Sequence, residues 1–157
     1  SEKYFFEVIE KFIGLPHRSK VIIENKKFKI INNSKSTNLN SCINSITNYD
    51  NIYLIIGGIA KEKNFEILLD FKKKIKCIYL YGKSAEFIVK KLKKSINIKK
   101  FQDLELVIKQ VSKDVKKTKI KPIILFAPAC SSYDQYDNFE KRGEHFTKLI
   151  QSYLIKL

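Results

Sequence analysis

Apolar positions along this chain follow two spacings in turn. Between Lys3 and Ile13 they fall at Phe5, Ile9, Phe12 and Ile13, one face of a helix that Gly14-Leu15-Pro16 brings to an end. The runs Lys20 to Glu24 and Phe28 to Ile31 are rich in β-branched residues and are split by polar Asn25-Lys26-Lys27, which predicts a hairpin. Leu39, Cys42, Ile43 and Ile46 then return to helical spacing before the continuous run Ile52 to Ile56. From there the alternation is regular. It predicts a helix over about Phe65 to Lys73, a strand over Ile75 to Tyr81 and a helix over about Ser84 to Lys93. A short extended piece near Ile96 to Phe101 follows, then a helix over about Leu104 to Val115, a strand over Ile123 to Phe126 and a last helix over about Phe139 to Ile155. Near-continuous apolar strands separated by helices are buried on both faces. The expected fold is a Rossmann-like α/β three-layer sandwich, a mostly parallel sheet flanked by helices with an antiparallel hairpin near the amino terminus. Residues 1–157 read as one domain, with no linker, repeat or low-complexity tract.

Composition narrows the function classes. The longest apolar runs fall far short of the ~18 residues a membrane span needs, so a soluble chain with no membrane partner is expected. Three cysteines, Cys42, Cys77 and Cys130, lie far apart without metal-ligand spacing, which suits a reducing cytoplasm and points to no zinc or other metal site. Cys130 reads as a small buried residue rather than a reactive thiol, because no histidine is near it in sequence to activate it. The net charge of +15 raises a nucleic-acid reading. Against it, lysine is spread over nearly every element and arginine, the residue that reads guanine bidentately, is almost absent. A basic α/β nucleic-acid-binding module is therefore the alternative, with no specific nucleic acid as the favoured reading. The chain has no methionine and opens inside a helical pattern, so a piece of a longer protein is expected.

Candidate chemistry sits at three strand exits: Asn33-Ser34-Lys35-Ser36-Thr37, Gly57-Gly58-Ile59-Ala60-Lys61 and Ala127 to Tyr133. If their strands are parallel neighbours, all three loops meet on the edge where open α/β sheets bind ligands. The first leads into a helix amino terminus, whose N–H groups attract an anion. Gly57 and Gly58 would let backbone approach a ligand closely. Lys35 and Lys61 add positive charge, and Thr37 and Ser132 add hydroxyls. Converging charge-assisted donors of this kind fit a small dicarboxylate better than a long polyanion.

The same segments, from Leu15-Pro16-His17-Arg18 through INNSKSTN and IIGGIAK to APACSSYDQYDNFEKRG, resemble the carboxyl-terminal domain of the Mur ligases, in particular the D-glutamate-adding branch. The resemblance covers essentially the whole chain. It implies that Lys35, Thr37, Lys61, Ser132 and Tyr133 surround D-glutamate with Phe139 beside it, and that Arg18 and Asn33 face the nucleotide. No residue here is implied to be catalytic. Asn33 stands where the family usually has aspartate. Ile59 and Ala60 replace a more polar pair, so only Lys61 carries over in that loop.

The resemblance further implies a cytoplasmic bacterial ligase of peptidoglycan precursor synthesis, whose substrates are UDP-N-acetylmuramoyl-L-alanine and D-glutamate. The resemblance implies that the full-length form uses ATP and Mg2+, that ATP phosphorylates the muramoyl-alanine carboxylate, and that the D-glutamate amine attacks the acyl phosphate. This domain would position that amine and bind no cofactor alone, and a monomer is expected. The family's GxxxxGK[ST] loop is missing; Gly82-Lys83-Ser84 has only its tail. The chain alone is thus expected to be inactive, its central ATP-binding and amino-terminal UDP-binding domains lying elsewhere. A ligase for another amino acid, or a folylpolyglutamate synthase, is the alternative within the class.

Overall fold

Among the described residues, six strands form one sheet. A computed structural model describes residues 17–92 and 95–155. The elements are β1 (Lys20–Glu24), β2 (Lys29–Asn32), α1 (Leu39–Thr47), β3 (Ile52–Gly57), a 3-10 helix (Phe65–Phe71), β4 (Ile75–Tyr81), α2 (Ala85–Leu92), β5 (Ile98–Lys100), α3 (Leu104–Val115), β6 (Ile123–Phe126) and α4 (Phe139–Tyr153). The strands lie in the order β1-β2-β6-β3-β4-β5; β1 pairs antiparallel with β2, and the other pairings of these strands are parallel. The helix expected over Lys3 to Ile13, with its Gly14-Leu15-Pro16 stop, lies outside the described residues.

Helix starts follow local chemistry. Asn38, Asp103 and Asn138 each hold an extended backbone and accept from the N–H three residues on, which caps α1, α3 and α4. The segment after β3 departs from expectation. It forms a 3-10 helix because Phe65, Leu68 and Phe71 repeat every third residue, and a three-residue turn stacks them on one ridge against the core.

Alternate strand residues feed two cores. Ile31, Leu54, Ile56, Ile78 and Leu80 pack with α1, the 3-10 helix and α2. Ile30, Ile55, Tyr79, Ile124 and Phe126 pack with α3 and α4, where the rings of Phe126 and Phe146 stack at 4.3 Å. Fully burying each such side chain contributes about 1.5–3 kcal/mol, which is why both faces of the sheet are covered.

The last strand in sequence, β6, is inserted between β2 and β3. The exits of β2 and β3 lead to the first face, while the exit of β6 leads to α4 on the second. The chain therefore diverges on both sides of β6, the kind of switch point at which α/β sheets leave a ligand crevice.

Candidate functional site at the strand exits

The three exit loops singled out in the sequence do meet, and one side chain joins them. Arg142, on the first turn of α4 and fully buried, donates from Nε to Ser34 Oγ (3.0 Å) and from Nη2 to the Ser34 carbonyl (2.8 Å). Its Nη1 donates to the carbonyls of Cys130 (2.9 Å) and Gly57 (3.3 Å). The guanidinium thus ties the exits of β2, β6 and β3. Among the described residues it pairs with no carboxylate; its donors are spent on backbone and hydroxyl oxygens. The planar five-donor fork makes this possible where a lysine ammonium would not. Sequence reading passed over Arg142. The signal was there: it is one of two arginines among 31 basic residues.

A second set of contacts seats α4 on the exit of β2. Asn32 Nδ2 donates to the Gly143 carbonyl (2.9 Å) and lies 3.1 Å from His17 Nδ1. Ser34 Oγ donates to the Phe139 carbonyl (2.7 Å). Gly143 leaves room for the His17 ring, since a Cβ there would come within 2.3 Å of Nδ1. Desolvation lowers the pKa of His17, against the pull of Glu144 and Glu140.

The glycines of the β3 exit serve the protein's own close packing. A Cβ at Gly57 would meet the Tyr81 ring at 2.4 Å, and one at Gly58, where φ is +124°, would meet the Ser131 carbonyl at 2.0 Å. Ile59 and Ser131 exchange backbone hydrogen bonds at 3.0 Å in each direction, closing β3's loop on that of β6. The room expected for a ligand beside these glycines is filled by neighbouring loops.

The amino terminus of α1 is likewise occupied from within. Asn38 Oδ1 accepts from Ser41 N (2.9 Å), and Glu62 Oε1, next to Lys61, accepts from Leu39 N (3.3 Å). The exposed-anion expectation for this helix end is corrected accordingly: a carboxylate is already present, delivered by the β3 exit.

Four of the expected site residues line one cleft of about 540 Å3, namely Arg18, Asn33, Lys35 and Thr37. Asn33 is buried, accepting at Oδ1 from Ser19 N (3.2 Å) and donating from Nδ2 to Ser45 Oγ (2.7 Å). Lys35 and Arg18 are exposed. Lys35 Nζ stands 5.9 Å from the centre of the Phe139 ring, which brings Phe139 to the same edge. Lys61, Ser132 and Tyr133 are not among that cleft's lining residues. Lys61 is exposed and Ser132 buried, on the two loops that the Ile59–Ser131 bridge joins. Tyr133 is 71% exposed.

Cys130 is buried beside Arg142, and burial pushes its thiol up to about 12 although the guanidinium opposes this. That environment suits an inert packed residue. Gly82-Lys83-Ser84 is held by Asp134, whose Oδ2 accepts from Lys83 N (2.9 Å), and Ser84 Oγ accepts from Ala60 N (2.8 Å).

Buried side-chain oxygens without a hydrogen-bond partner mark the same pole. Among the described residues they are Ser36 Oγ, Glu62 Oε2, Tyr81 OH and Asp134 Oδ1. Ser36, Glu62 and Asp134 lie in the loops that follow β2, β3 and β6, and Tyr81 is the last residue of β4. Each such atom left dry would cost about 1–3 kcal/mol, so water or a bound group satisfies it.

Comparison with known proteins places this arrangement. The chain is 42% identical over 150 residues to the UDP-N-acetylmuramoylalanine–D-glutamate ligase of Rickettsia bellii, matching 93% of this chain and 33% of that ligase. The enzyme of the same name from Wolbachia sp. subsp. Brugia malayi is 34% identical over 143 residues, 91% of this chain and 29% of the relative. The chain thus spans about a third of the length of the curated relatives it matches. Among solved structures, MurF from Acinetobacter baumannii superposes with a TM-score of 0.65 over 98% of this chain and 34% of its own, at 14% identity. A folylpolyglutamate synthase from Thermotoga maritima gives 0.51 over 82% of this chain and 31% of its own, at 18% identity. These two share the fold. No protein-family model matches.

Proposed function

Because the chain belongs to the Mur ligase family and matches a third of its D-glutamate ligases, we propose that it is the carboxyl-terminal domain that positions D-glutamate in such an enzyme. The observation that carries this reading is the cleft of about 540 Å3 at the exit of β2, which Arg18, Asn33, Lys35 and Thr37 line and beside which the Phe139 ring stands 5.9 Å from Lys35 Nζ.

In this reading the carboxylates of D-glutamate are taken by Lys35, Thr37 and Lys61, with hydroxyls from Ser132 and Tyr133 and the Phe139 ring limiting the pocket. Charge-assisted bonds from a few fixed donors orient the substrate so that its amine points away from the sheet. The amine then attacks a carboxylate of UDP-N-acetylmuramoyl-L-alanine that has been activated as an acyl phosphate. The domain's contribution is proximity and orientation, and its residues provide no covalent step. Arg18, exposed at the rim of the cleft, turns toward the nucleotide.

ATP and Mg2+ belong to the full-length enzyme. Both polar atoms of Asn33 are engaged within the protein, so in this reading Asn33 supports the cleft from within, and ATP meets the domain at the rim beside Arg18. The enzyme is read as a monomer of the bacterial cytoplasm, with its ATP-binding and UDP-binding domains outside residues 1–157.

Steady-state kinetics of the parent ligase test the assignment. Lys35→Ala and Thr37→Ala should each raise the D-glutamate KM at least about tenfold, with the ATP KM unchanged. An unchanged D-glutamate KM in both variants would overturn it, as would preference for lysine or diaminopimelate in an amino-acid panel. The 157-residue chain alone should release no phosphate from ATP in response to D-glutamate.

A further inference from the structure

At the opposite end of the sheet, before the amino-terminal ends of β2 and β6, lies a cleft of about 580 Å3. Its walls are the β1–β2 turn and the loop from α3 to β6. Lys26, Lys27, Lys116, Lys119 and Lys121 line it around Phe28, Val115 and Ile120, and no acidic residue among the described ones lines it. Glu24, which pairs with Lys29 at 3.2 Å, reaches Lys121 from outside the cleft at 3.4 Å.

Both lysine-bearing loops are pinned. Asn25 Oδ1 accepts from Lys27 N (2.8 Å) and Phe28 N (2.9 Å). Asn51 Nδ2 donates to the carbonyls of Ile120 (3.1 Å) and Lys121 (2.9 Å), and Thr118 Oγ1 donates to the Ile120 carbonyl (2.6 Å). Lys26, Lys116 and Lys119, gathered on these ordered loops, repel one another at separations within a Debye length, so the cleft favours an anion.

On one side the cleft opens onto apolar surface. It adjoins a second cavity of about 370 Å3 that shares Lys26, Lys27 and Phe28 and is otherwise lined by Ile23, Asn25, Leu154 and Ile155. Ile120, at 66% exposure, and Ile155, at 52%, stand open at this pole. Among the described residues lining the two cavities there is no arginine to read a base and no exposed aromatic ring to stack one.

We propose that this pole binds an amphiphilic phosphate: two or more phosphate charges in the lysine cleft and an apolar portion in the groove beside it. The volumes suit a small ligand. The ligand could be a soluble organic diphosphate or a phospholipid headgroup with part of its chain, since both offer the same chemistry.

Titration of the 157-residue chain with pyrophosphate and with geranyl diphosphate, followed by backbone amide shifts, tests the proposal. Shifts are expected at Lys26, Lys119 and Ile120, with geranyl diphosphate binding at least about tenfold more tightly than pyrophosphate. Combined Lys116→Gln, Lys119→Gln and Lys121→Gln should weaken both ligands at least about tenfold. Ile155→Ser should narrow only the gap between them. Competition by phosphatidylglycerol vesicles supports the proposal with a lipid source; undiminished binding in their presence supports it with a soluble one. Unchanged affinity in the triple variant, or equal affinity for the two diphosphates, would overturn it. So would a short DNA duplex binding more tightly than either at about 0.15 M salt.

Discussion

Arg142 Nη2 lies 2.8 Å from the carbonyl oxygen of Ser34, across 108 residues of chain. Through that bond and those to Gly57 and Cys130, one guanidinium sets the spacing of three exit loops. Removing it would leave buried carbonyls unpaired on each loop, and each unpaired group costs about 1–3 kcal/mol.

Arg142→Lys keeps the charge but not the fork, so it should lower stability by about 2–4 kcal/mol. Urea unfolding at neutral pH measures this. A loss under about 0.5 kcal/mol would mean the loops hold their places without the guanidinium.

Gly143→Ala sets helix propensity against packing. Alanine inside a helix gains about 1 kcal/mol over glycine, yet its Cβ would meet His17 Nδ1 at 2.3 Å, an overpacking cost of about 1–3 kcal/mol. The single substitution should lower the melting temperature. In a His17→Ala background the ring is gone and the same substitution should raise it. Absence of that sign change in thermal melts would contradict the packing account.

Asp114 gives the fold a dependence on acid. Burial would raise its carboxyl, but Lys99 (2.6 Å), the Tyr79 hydroxyl (2.7 Å) and Gln110 (2.9 Å) donate to it and hold its pKa below the ordinary value. With the folded pKa depressed below the unfolded value of about 3.9, the stabilisation is fully present above that value and is lost as pH falls through the folded one. Asp114→Asn should cost about 1.5–3 kcal/mol at neutral pH, and the gap to the parent chain should close in strong acid. Urea unfolding across pH tests this; a gap independent of pH would refute it.

The elements were legible because their causes are local. Asparagine or aspartate before Leu39, Leu104 and Phe139 starts a helix wherever the chain goes next, and the β-branched runs of β3, β4 and β6 can only be buried strands. The 3-10 helix escaped notice because Phe65, Leu68 and Phe71 fit a 3.6-residue period almost as well as a three-residue one over so short a stretch. The exit loops were legible as a set, since glycine, lysine and hydroxyl residues after apolar strands mark a binding edge.

What each residue touches was settled by tertiary structure alone. That Gly57 and Gly58 make room for Tyr81 and Ser131, that Glu62 reaches the start of α1 and that Arg142 binds Ser34 all depend on β6 entering between β2 and β3. Strand order is decided by the combined burial of two sheet faces, and no short window of residues contains that sum. The sequence by itself determined which segments are helices and strands and which loops carry polar chemistry. The three-dimensional packing decided which of those polar groups are consumed within the protein and which stay exposed at the strand exits.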